Sequence, residues 1–147
     1  MRKLPMAGGE VVHRLLGQIQ ETAELLKETE GLNQFGMELE DGVEAAMESV
    51  ELLLSRLQDT PNDALAGATP FLRLLGTVIG GWLMGKAALA AKAQLDSGSG
   101  DRQFLESKLA TSRFYGEQIL PSALGLADTV AGRADVLFAI PDEALAL

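Results

Sequence analysis

From Val12 onward the apolar residues fall at Leu15, Leu16, Ile19, Ala23 and Leu26, in steps of three and four that place one stripe on one helical face. The spacing predicts a first helix over 9–30, with Gly31 as a left-handed stop and Asn33 opening the next helix or the turn before it. A second helix over 33–59 carries Leu39, Val43, Ala46, Val50, Leu53 and Leu57, while Glu40, Glu44, Glu48 and Glu51 run down another face. Thr60-Pro61-Asn62-Asp63 has the form of a helix start, with Thr60 as N-cap, proline at the first helical position and an acid in the first turn. Thr69-Pro70 repeats it, so the third helix, 61–95, is expected to break or kink near Pro70. Ser97-Gly98-Ser99-Gly100 reads as a flexible connection.

Asp101 then opens a fourth helix over 101–131, through Leu105, Leu109, Gly116 and Ile119. Pro121 is expected to bend it before apolar residues resume at Leu124, Ala127 and Val130. Beyond Gly132, the apolar Val136, Leu137, Phe138 and Ile140 are expected to fold back on the bundle. No segment alternates in the manner of a strand and no repeat is visible. The chain therefore reads as all-α: one helical domain over 1–147, a near-antiparallel four-helix bundle with a short C-terminal tail packed on it.

Composition narrows the functional classes. At 147 residues with 47% hydrophobic side chains, the chain can enclose a core without disulfides or metal. The lack of cysteine excludes thiol catalysis and thiolate zinc sites. A net charge of −9 would repel a phosphate backbone, which argues against a nucleic-acid partner. The charge is uneven: residues 1–60 hold 5 basic and 12 acidic side chains, residues 61–147 hold 7 and 9, so the first half is the expected solvated side. Arg2 and Lys3 precede no apolar run of the kind a secretory signal needs. The most membrane-like stretch, Leu74 to Gly85, has 12 uncharged residues against the ~20 that span a bilayer. It reads as a buried core helix, and the expected location is cytoplasmic.

Candidate chemistry is thin. Glu10-Val11-Val12-His13 has the Glu-x-x-His spacing of di-iron bundles, but such a site needs a second pair and two more glutamates. His13 is the only histidine, so a chance match with His13 partly exposed is the favoured reading. The same shortage leaves no serine–histidine–acid triad, and no phosphate-cradling glycine loop follows a strand. The glutamate column on helix two reads as a solvated face rather than a carboxylate dyad. Phe104, Phe114 and Tyr115 could wall a ligand pocket with Arg113 beside them, yet at helical spacing the aromatics read as core and Arg113 as a surface ion pair. No catalytic, cofactor-binding or metal-binding residue is assigned.

Gly76, Gly80, Gly81 and Gly85 stand in the most apolar helix, around Trp82, Leu83 and Met84. Each glycine costs ~1 kcal/mol relative to alanine inside a helix, so several together predict that another backbone approaches closely there. Tight packing within the bundle is the favoured reading, and a helix–helix contact between subunits or domains the alternative.

Arg2-Lys3-Leu4-Pro5 with Gly8-Gly9, then Thr69-Pro70-Phe71-Leu72-Arg73-Leu74-Leu75-Gly76 and Gly80-Gly81-Trp82-Leu83, carry a family resemblance. So do Phe104-Leu105-Glu106-Ser107-Lys108-Leu109-Ala110-Thr111-Ser112-Arg113-Phe114-Tyr115, Ile119-Leu120-Pro121 and the closing Leu137-Phe138-Ala139-Ile140-Pro141-Asp142-Glu143-Ala144-Leu145. Together they resemble the C-terminal helical extension of bacterial acyl-CoA dehydrogenases of the 3-methylmercaptopropionyl-CoA dehydrogenase type. The resemblance implies the C-terminal part of an enzyme that desaturates an acyl-CoA thioester between its α and β carbons, with FAD accepting the hydride. It also implies that the proton-abstracting glutamate, in a Tyr-Glu-Gly-Thr segment absent here, lies upstream with the flavin- and thioester-binding domains. This segment would then pack against those domains or a second subunit of a homo-oligomer. The alternative is a stand-alone helical module that self-associates, and a carrier for an apolar ligand is a third reading.

Overall fold

The computed structural model describes residue 1 and residues 3–145; Arg2, one of the residues carrying the resemblance, lies outside the described residues. The described residues are helical throughout, joined by turns, with no strand among them. The principal helices are α1 (Glu10–Glu28), α2 (Asn33–Asp59), α3 (Pro61–Ala66), α4 (Ala68–Asp96), α5 (Arg102–Phe114) and α6 (Leu124–Ala131), and a single turn, α7 (Asp142–Leu145), closes the chain.

Gly9 starts α1 with φ +88°, a left-handed conformation that side chains rarely adopt, and lies buried against Leu54. Gly31, at φ +80°, turns the chain between α1 and α2. The Asn33 side-chain amide donates to the Lys27 carbonyl, satisfying one of the open acceptors at the end of α1. α1 and α2 run antiparallel: Lys27 meets Glu40 near the turn, and His13 meets Glu51 at the far end. α4 runs parallel to α1, since Trp82 bonds to Thr22, and antiparallel to α2, since Gly81 lies against Leu39 and Gly42 against Val78. α5 returns antiparallel to α4, bringing Tyr115 back to Thr77.

The stripes converge on one core. Leu16, Ile19, Ala23 and Leu26 of α1, Phe35, Leu39, Val43, Val50 and Leu53 of α2, and Leu74 and Val78 of α4 are fully buried. Leu120, Ala123 and Val130 close it from the last part of the chain. Burying each large aliphatic side chain contributes ~1.5–3 kcal/mol before conformational entropy is subtracted.

Several sequence expectations are corrected. The break expected near Pro70 falls three residues before it, at Gly67, where the Val130 carbonyl and the Leu53 side chain leave no room for a Cβ. Pro70 sits in the first turn of α4, where an amide hydrogen has no helical acceptor, so it breaks nothing. Thr60 precedes α3, but its side chain accepts no capping hydrogen bond. Asp101 does cap α5, accepting from the Gln103 and Phe104 amides at 2.9 and 3.2 Å. The departure from α geometry begins before Pro121, as a wide π turn over Tyr115–Ile119 followed by a tight turn over Leu120–Ala123.

α4 is 29 residues long with a window of mean hydropathy 1.4, so by length and composition alone it could cross a bilayer. It is not buried all round: Phe71, Leu74, Val78, Gly81, Gly85 and Ala88, spaced three and four apart, enter the core, while Leu72 and Leu83 face outward. The C-terminal tail does not fold back on the core either: Val136, Leu137, Phe138 and Ile140 are all more than half exposed.

Candidate interaction surface

The glycines of α4 are filled by side chains, not by the backbone that their spacing predicts. The Tyr115 phenol occupies the space over Gly80 and Leu120 and Leu39 that over Gly81, and Leu26 fits against Gly85. Gly76 faces open space. The close backbone approaches are elsewhere, at Gly36, which meets the Lys27 amide and the Ala23 carbonyl, and at Gly67. Gly116, in the π turn, takes the Phe35 ring. Gly36 meets the preceding helix, whereas Gly67 and Gly116 meet residues 63 and 81 positions away, so helical spacing carries no signal for any of them.

Phe104 and Phe114 are not core: α5 turns Leu105 and Ser112 inward and leaves both rings about 60% exposed. Tyr115 is half-buried, and burial pushes its phenol pKa above the ordinary value. Ile119 also lies exposed rather than in the core stripe. Arg113 pairs with Glu117 at 2.9 Å one turn on.

Of the glutamate column, Glu44, Glu48 and Glu51 are exposed, with Glu51 3.0 Å from His13. Glu10 is exposed, and the described residues bring no group of three possible metal ligands together. Glu40 departs from the solvated column: it is half-buried and accepts from Lys27 Nζ at 2.6 Å and Gln20 Nε2 at 3.0 Å. The Lys27 hydrogen bond, followed by that of Gln20 and the lysine's charge, holds the Glu40 carboxyl below its usual range against the opposing effect of burial.

Two larger depressions mark the described surface, beside a small one of about 170 Å³ near Gly98 and Arg102. A polar one of about 510 Å³ lies among Glu30, Lys92, Asp96, Arg102, Glu106 and Arg113. Its cations are already committed, Lys92 to Asp96 and Arg102 to Glu106 at 2.8 Å each. The other is an apolar groove of about 700 Å³ between the N-terminal residues, the start of α1 and the start of α4. Leu4, Val11, Leu15, Phe71, Leu72 and Leu75 line it, with Lys3 the charged side chain among its described lining residues. Val11 and Leu72 are 61% and 70% exposed, which leaves much of that apolar lining in water.

The exposed tail lies at the same end. Arg56 near the end of α2 donates to the carbonyls of Val130, Ala131 and Gly132, and Asp63 of α3 accepts the Ala134 amide at 2.8 Å. That hydrogen bond, ahead of the nearby Arg133 and Arg56 charges, keeps the Asp63 carboxyl below its usual range. Polar clamps thus hold the chain as far as Ala134, and Val136, Leu137, Phe138 and Ile140 beyond it stay exposed.

The two larger depressions are thus a hollow whose cations are paired with carboxylates and an apolar groove left open. The chain belongs to the family described as Acetyl-CoA dehydrogenase C-terminal like, which matches residues 15–141. It is 36% identical over 120 residues to 3-methylmercaptopropionyl-CoA dehydrogenase of Ruegeria pomeroyi, covering 81% of this chain and 20% of that protein. It is 32% identical over 130 residues to the broad-specificity linear acyl-CoA dehydrogenase FadE5 of Mycobacterium tuberculosis, covering 82% of this chain and 21% of that protein. The chain thus spans about one fifth of the length of these relatives and corresponds to their C-terminal region.

The FAD that the family implies does not fit either depression. A flavin dinucleotide needs free donors for its pyrophosphate, and the cations of the polar hollow already hold carboxylates. The groove offers an apolar lining and one lysine. No chemical step through the flavin is derived from these residues.

Proposed function

We propose that this chain is the C-terminal packing and subunit-interface domain of an FAD-dependent acyl-CoA dehydrogenase, an enzyme that oxidises an acyl-CoA to the 2,3-enoyl-CoA. The flavin, the thioester site and the catalytic base belong to upstream domains, and residues 1–147 contribute a single folding unit. Its long helices form one near-antiparallel four-helix bundle, a reading supported by the pairings Lys27–Glu40, Gly81–Leu39 and Tyr115–Thr77. The parent enzyme is read as a cytoplasmic homo-oligomer.

The observation that carries the reading is the family match over residues 15–141, with relatives of which the chain covers only the C-terminal fifth. The unfilled apolar groove supports it, because a domain made to be covered by another leaves such a surface when viewed alone. The test compares the 147-residue chain with the polypeptide encoded by its whole open reading frame. The longer polypeptide is expected to bind FAD and to reduce an electron acceptor with an acyl-CoA, and the shorter one to do neither. Stoichiometric FAD on the 147-residue chain would overturn the assignment of the cofactor to upstream domains.

A further inference from the structure

Two of the exposed apolar sets, the groove and residues 136–140, occupy one end of the molecule. There the start of α1 and the N-terminal turn meet the end of α2, as Gly9 lies on Leu54, and Gly67 at the start of α4 lies on Leu53 and on Val130 of α6. We infer that this end is the seat of the dehydrogenase body of the same polypeptide, with an apolar helix or loop of that body laid in the groove between α1 and α4. The inference rests on the C-terminal-domain reading above, and adds which face is covered and by what.

Two features favour the body over a second copy of this chain. In a protein built like the matched relatives, about four fifths of the polypeptide lies outside the matched region and precedes it. Met1 and Leu4 are themselves part of the groove lining, so preceding chain would arrive at its rim. A tether of a few residues gives an effective concentration on the order of millimolar, enough to fill a modest apolar site. Second, two copies each carrying −9 repel one another, a cost that an apolar segment without excess negative charge does not carry. Gly76, with nothing within 4 Å between the outward Leu72 and Leu83, leaves the adjoining face of α4 open to close approach by such an element.

The absence of cysteine makes the test direct. Single Val11→Cys, Leu72→Cys and Glu48→Cys variants, all at exposed positions, are made in the 147-residue chain and in the longer polypeptide. Maleimide labelling is timed and located by peptide mass spectrometry. The thiols at 11 and 72 are expected to react at least tenfold more slowly in the longer polypeptide, and the thiol at 48 equally fast in both. Equal rates at 11 and 72 in an otherwise active, FAD-loaded enzyme overturn this inference and leave the C-terminal-domain reading standing. Slow labelling already present in the 147-residue chain, relieved by dilution and accompanied by a doubled mass in sedimentation, assigns the face to a second copy and also overturns it. A reading frame with no dehydrogenase sequence upstream removes the C-terminal-domain reading and this inference with it.

Discussion

The Tyr115 hydroxyl donates to the Thr77 carbonyl at 3.0 Å, and the phenol lies across Gly80, filling the space that a side chain there would need. The carbonyl of Thr77 thereby gains a second partner in the middle of α4, and the π turn is held against that helix. Gly80→Ala must displace the phenol or shift the helix. We expect a loss of ~1–3 kcal/mol, the usual range for overpacking. Gly76→Ala, four residues away in open space, should gain up to ~1 kcal/mol from helix propensity. Urea midpoints that move the same way in both variants would remove the Tyr115 contact as the reason for Gly80.

Gly116 sits against the Phe35 ring, which is wholly buried and has nowhere to turn. Gly116→Ala should cost ~1–3 kcal/mol or more. Combining it with Phe35→Leu should cost less than the sum of the single losses, because the smaller side chain vacates the space the new methyl requires. Strict additivity in a double-mutant cycle would mean that the two positions do not share that space.

The Lys27–Glu40 pair predicts a stability plateau with two shoulders. Glu40 has a lowered carboxyl pKa in the folded chain, so its contribution is complete above the usual carboxylate value and is lost as pH falls through the lower folded value. Lys27 has a raised pKa, chiefly from the same hydrogen bond, so its contribution is complete below the usual lysine value and is lost as pH rises through the folded one. Glu40→Gln should reduce the pH dependence on both limbs. Denaturation midpoints measured across the pH range check this, and unchanged acid and alkaline limbs would rule the pair out as their source.

Asp63 ties the tail to the bundle through the Ala134 amide. Its carboxyl pKa is lowered, so the tie holds above the usual aspartate value and is lost as pH falls through the lower folded one. Exchange of the Ala134 amide, corrected for its intrinsic pH dependence, should accelerate across that window. Asp63→Ala should show the fast rate at every pH, while amides of the buried part of α2 stay protected. Protection of the Ala134 amide that persists in Asp63→Ala would contradict the clamp.

The groove between α1 and α4 is the part of the candidate site least legible in the sequence. Val11, Leu72 and Leu75 belong to runs where apolar residues follow one another closely, and periodicity does not say which of them face outward. The aromatic pair Phe104 and Phe114 misleads for the same reason: hydrophobicity predicts burial only where a partner helix covers that face, and α5 turns only Leu105 and Ser112 fully inward. Glu40 looked like its neighbours in the column because an ion pair between two helices leaves no mark in the local spacing of either.

What the sequence by itself determined is the all-helical class, the stripes of α1 and α2 that became core, and membership of the dehydrogenase C-terminal family, since three- and four-residue periodicity and residue identity are local properties. What only the tertiary structure decided is which glycines admit neighbours, where the third helical stretch breaks, and which apolar residues are left in water. The absence of a side chain at Gly67 answers to a carbonyl sixty-three positions away, and the exposure of residues 136–140 to a core already filled by others. Helix formation is settled by interactions a few residues apart, whereas packing and its unfilled surfaces depend on the shape and placement of every element at once.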